Sequence, residues 1–103
     1  MHKAKEVLLA DSPGKLCRII YEVITQPEED LEVARHAKRK MQLGFEMTSN
    51  QIGSHMTKLR KGVNRTIDKM VEEGKSAVAD VVRERLDDIA PSSRLNANVE
   101  ALL

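Results

Sequence analysis

The chain has 103 residues, 32% of them charged, a formal net charge of +1, one cysteine and only two aromatic residues, Tyr21 and Phe45. That length supports one domain with a modest core. No apolar run approaches the ~20 residues of a membrane span, VLLA near the N-terminus is too short for the apolar part of a signal peptide, and a lone Cys17 excludes an internal disulfide framework. The expected setting is soluble and cytoplasmic. Leu, Ile, Val, Met and Ala carry the apolar content, which favours helices over sheet. The expected fold is all-α, a small bundle of about five helices, with residues 1–91 as one domain and 92–103 as a C-terminal tail.

Residues 2–10 predict a short helical segment with Val7 and Leu8 as its apolar contacts. Asp11-Ser12-Pro13-Gly14 is a boundary, with Ser12 as a cap and Pro13 suited to the first helical position. Leu16, Ile19, Ile20, Val23 and Ile24 then fall on one face of a helix, the most apolar stretch of the chain. Cys17, near the edge of that face, reads as a small buried hydrophobe rather than a nucleophile. Gln26-Pro27 opens the next helix, with Glu28, Glu29 and Asp30 in its first turn and Arg35, Lys38, Arg39 and Lys40 toward its end. Acids first and bases last complement the helix dipole. The bases are therefore dipole partners, or phosphate contacts if this helix flanks a nucleic-acid groove. Leu31, Ala34 and Met41 line its apolar stripe and Gly44 closes it.

The stretch Met47–Gly74, MTSNQIGSHMTKLRKGVNRTIDKMVEEG, reads as two short helices with a turn between them. Met47 suits a hydrophobic staple, and Thr48 with Gln51 makes a capping box. Ile52, His55, Met56 and Leu59 recur at helical spacing. Arg60, Lys61 and Gly62 interrupt the pattern as a turn would. The second helix resumes with Val63, Ile67, Met70 and Val71, and Gly74 sits where a C′ glycine closes a helix. Its opposite face reads Lys61, Asn64, Arg65, Asp68 and Lys69, four donors and one acid, a face suited to phosphates and base edges.

Met47, Thr48, Ile52, Gly53, Met56, Val63, Ile67, Met70 and Gly74 fall without a gap on a pattern that resembles the helix-turn-helix of winged-helix regulators, in particular the MarR-like type. Thr57 stands where that family's turn usually has Gly. Lys75–Ala90 reads as a helix where the family places its wing, so no wing is evident. The resemblance implies a sequence-specific DNA-binding regulator of transcription, of bacterial or phage type. Thr48, Ser49 and Asn50 would contact phosphate. Lys61, Asn64 and Arg65 would enter the major groove, while Lys58, Arg60 and Lys69 would hold the backbone. A module this small implies a homodimer, joined through the 76–90 helix and the tail.

In that last helix Ser76 is the expected cap, and Val78, Val81, Val82, Leu86 and Ile89 form the expected apolar stripe. Arg83, Glu84, Arg85, Asp87 and Asp88 are expected to face water. Pro91 ends the helix, and Leu95, Val99, Leu102 and Leu103 make the tail amphipathic. The charge is unevenly placed. Residues 35–69 hold nine Lys or Arg against Glu46 and Asp68, a balance of +7, while residues 1–34 and 70–103 each hold four bases and seven acids. A basic middle between acidic ends is the footprint of a nucleic-acid surface.

His2, His36 and His55 share no metal spacing with one another or with Cys17, and no phosphate-loop, dinucleotide or nucleophile motif occurs. The expectation is a protein that is not an enzyme and needs no metal or cofactor. A second expectation needs no nucleic acid: a helical adaptor, anti-activator or antitoxin-like module that grips another protein. The acidic flanks, the five methionines and the missing wing favour it.

Overall fold

The computed structural model describes residues 2–91, and the expected tail at 92–103 lies outside them. Among the described residues there are five helices and no strand: α1 (His2–Leu9), α2 (Pro13–Thr25), α3 (Leu31–Leu43), α4 (Ser49–Glu72) and α5 (Ser76–Ile89). The all-α bundle expected from composition is the fold. Among the described residues no helix is long and apolar enough to cross a membrane.

α2 is the central helix. Ser12 caps it by accepting from the Lys15 amide at 3.3 Å, and Pro13 takes the first helical position. Its five predicted apolar residues, Leu16, Ile19, Ile20, Val23 and Ile24, are all buried. It packs most extensively on α3, and then on α4. Against the expectation, α3 does not begin at Gln26-Pro27. Those residues and Glu28 form a turn closed by the Glu29 amide donating to the Gln26 carbonyl at 2.9 Å. Asp30 is the cap, accepting from the Glu32 amide at 2.9 Å. The acids expected inside the first turn thus lie before the helix, where one carboxylate is the better cap.

The turn expected at Arg60-Lys61-Gly62 is absent. α4 is one helix of 24 residues, with the predicted capping box intact at its start. Thr48 accepts from the Gln51 amide at 3.2 Å, and Gln51 Oε1 accepts from the Thr48 amide at 2.8 Å. The physical reason for continuity is register. Ile52, Met56, Leu59, Val63 and Ile67 are buried, and they recur at steps of three and four straight through residues 60–62. Burying such side chains contributes about 1.5–3 kcal/mol each, whereas glycine inside a helix costs about 1 kcal/mol. Gly62 has a packing role: the Tyr21 ring of α2 lies over it, and Tyr21 Oη hydrogen-bonds Thr66 Oγ1 at 2.5 Å.

α4 closes as predicted at Gly74, whose φ of 79° is the left-handed conformation that glycine adopts without strain. The Gly74 amide donates to Val71 O at 3.0 Å and the Lys75 amide to Met70 O at 2.8 Å, a Schellman closure. That closure leaves only Lys75 between Gly74 and the first residue of α5. Lys75 is therefore its N-cap, and Ser76 is inside the helix with no side-chain cap bond, contrary to expectation. α5 is also rotated from its predicted face. It buries Ala79, Val82, Leu86 and Ile89, while Val78 and Val81 remain 39% and 43% exposed. Ala79 takes the buried place expected of Val78 and Val81, on one face with Val82, Leu86 and Ile89.

A continuous α4 predicts that Gly62→Ala stabilises the protein by about 0.5–1 kcal/mol. The added Cβ would meet the Tyr21 ring at 3.6 Å, an ordinary contact. The urea midpoint should rise, whereas a fall would mean that residue 62 needs glycine's freedom, as a turn would.

Candidate nucleic-acid interface

The basic residues of the middle segment divide into two groups. In α3 three of the four serve the fold. Arg35 pairs with Glu32 and with Asp88 of α5, and Lys38 donates to the Ile89 carbonyl at the end of α5. Partial burial lowers the Lys38 pKa, opposed by nearby Asp88. Lys40 Nζ donates to the carbonyls of Val7, Leu8 and Ala10 at 2.8, 3.1 and 2.7 Å. It thereby helps satisfy the C-terminal end of α1, where the Ala10 amide also donates to Val7 O at 3.4 Å. Arg39 is exposed.

The bases of α4 differ. Lys58, Arg60, Lys61, Arg65 and Lys69 have no ion-pair partner among the described residues. Lys58, Lys61, Arg65 and Lys69 are all exposed and recur at steps of three and four, so they share the side of α4 opposite its core stripe. At 1.5 Å per residue the row spans about 16 Å. Asn50 and Ser54 extend the same side toward the N-terminus, and both are exposed. Asn64 borders it. The first acidic residue in α4 is Asp68, and with Glu72 it flanks the Lys69 end. The positive potential is therefore greatest between Lys58 and Arg65. The unpaired amides at the start of α4 add partial positive charge at the other end.

The nine predicted contact residues are not brought into one patch. Thr48 is occupied as the cap of α4. Ser49 and the half-buried Arg60 turn toward a shallow groove of about 310 Å³ between α3 and α4, shared with Lys38, Gln42 and Pro91. Only Asn50, Lys58, Lys61, Asn64, Arg65 and Lys69 lie on or beside the exposed row. Ser54, exposed one turn before Lys58, extends the row and is not among the nine expected contacts, although its i, i+4 spacing to Lys58 could have indicated it.

Among the described residues, no group of three His, Cys, Asp or Glu side chains is placed to hold a metal ion. Burial pushes the Cys17 thiol up, which keeps it protonated and unreactive near neutral pH. Arg85, expected in water, is half-buried. It donates to Val23 O at 2.8 Å and Glu29 O at 2.9 Å, tying α5 to the end of α2. The chain matches no protein-family model, no curated protein and no solved structure.

Proposed function

We propose that the protein binds double-stranded DNA through the exposed side of α4 and acts as a dimeric regulator of transcription. The observation that carries the reading is the row Lys58, Lys61, Arg65 and Lys69: exposed, aligned, without ion-pair partners among the described residues, and with no acid between its first three members. A helix surface of this kind attracts phosphates by releasing their counterions. Asn64 and Arg65, at the middle of the row, are the side chains suited to base edges, Asn for adenine and Arg for guanine. The reading retains the partner implied by the helix-turn-helix resemblance but changes the presentation. One long helix offers its middle to the groove, in place of a recognition helix set off by a turn.

Anisotropy of a labelled random-sequence duplex tests it. Four neutralised phosphates predict a log–log salt slope of about −3.6 per protomer. Lys61→Glu/Arg65→Glu should reduce the steepness by about 2 while circular dichroism stays helical. Absence of binding at low salt by the folded wild type would contradict the reading.

The dimer contact assigned to this reading is the α4–α5 corner, where Val71, Val78 and Val81 are exposed at 46%, 39% and 43%. Sedimentation equilibrium should give a dimer that Val81→Glu converts to monomer. A wild-type monomer at all concentrations would remove the dimer from the proposal.

A further inference from the structure

α1 and α3 enclose a second surface on a part of the bundle not formed by α4. It is an apolar groove of about 460 Å³, with Val7 at its floor and Leu8, Val33 and Leu43 along its walls. Leu8 and Leu43 are 77% and 72% exposed, although Leu8 is expected from the sequence as an apolar contact of its helix. Single exposed leucines are ordinary, but two flanking one concave apolar surface are a feature of recognition sites.

The groove is held in shape from both sides. Lys40 ties the end of α1 to α3 through three carbonyls, and Lys3 ties the start of α1 to Glu22 of α2. The bundle therefore does not collapse to cover the leucines, and a ligand meets a preorganised surface. The charged side chains that line the groove, Arg39 and Lys40, are both basic. His36 and Arg39 line it, no acidic residue does, and Arg39 has no ion-pair partner among the described residues.

We propose that this groove docks an acidic amphipathic helix of another protein, its apolar stripe against Leu8, Val33 and Leu43 and its carboxylates against Arg39 and His36. Two turns of helix match the length of α1, so the partner's anchors would recur at i, i+4 and i+7. A second copy is a poor occupant among the described residues. The acidic amphipathic helix this chain possesses, α5, already buries its apolar stripe of Ala79, Val82, Leu86 and Ile89.

The test uses the full chain and two fluorescein-labelled synthetic helices. One has leucines at i, i+4 and i+7 with glutamates at the remaining polar positions, and its match carries lysines in place of the glutamates. The acidic helix should bind, and Leu43→Asp should weaken it at least about tenfold. Arg39→Glu should reverse the preference toward the lysine helix. Lys61→Glu/Arg65→Glu should leave binding unchanged. Loss of peptide binding in that double variant would place the helix on α4 and overturn the proposal, as would equal binding of both helices or indifference to Leu43→Asp. Self-association abolished by Leu43→Asp would make the groove a contact between copies and would equally overturn it. Leu43 is exposed, so its substitution leaves the core intact, and circular dichroism verifies the fold.

Discussion

The core stripe of α4 is the constraint on which the arrangement depends. Ile52, Met56, Leu59, Val63 and Ile67 turn one side of a 24-residue helix inward, against α2 and α5. Once that side is fixed, the helical period leaves no choice about the other. Lys58, Lys61, Arg65 and Lys69 must line up in water. The same five apolar residues that pack into the bundle thus create this extended basic row. The row and the core are coupled by geometry, because a change of register in the core would rotate the row away.

Cations elsewhere in the protein close the ends of helices. Lys40 satisfies the carbonyls that end α1, Arg85 those at the end of α2 and in the following turn, and Lys38 the end of α5. Each is a long side chain that reaches from one helix to the terminus of another, where backbone acceptors would otherwise lack partners. Hydrogen bonds from charged donors are worth about 1.5–3 kcal/mol each. Arg85 is half-buried and its Nε has no partner, so its contribution comes through the Nη2 bonds alone. A basic residue count therefore overstates the surface that a polyanion meets: three of the four α3 bases belong to the scaffold.

Local chemistry was legible in the sequence wherever a few neighbouring residues decide the outcome. Ser12 with Pro13, Thr48 with Gln51, Gly74, and the apolar face of α2 all act within one or two helical turns, and each is found as read. The break at Arg60–Gly62 was misread because three polar or small residues in a row imitate a turn. Leu59 and Val63 stand four apart across it, so the continuous register was present in the sequence but outweighed. The rotation of α5 and the inward course of Arg85 were not legible. Both depend on contacts between helices far apart in sequence, such as those of Arg85 with the carbonyls of Val23 and Glu29. Six of the nine candidate contacts lie on or beside the exposed row of α4. Thr48, Ser49 and Arg60 do not, since capping and the α3–α4 groove claim them.

α4 is one uninterrupted helix with its apolar side on the core, and the proposal sets its basic side against DNA. Amide-resolved NMR of the full chain, titrated with a short duplex at low salt, reads both features at once. Helical Cα shifts should run without interruption through residues 60–62. Duplex-dependent changes should concentrate at Asn50, Ser54, Lys58, Lys61, Asn64, Arg65 and Lys69 and spare Leu8 and Leu43. Non-helical shifts at residues 60–62, or changes centred on α1 and α3, would contradict this arrangement.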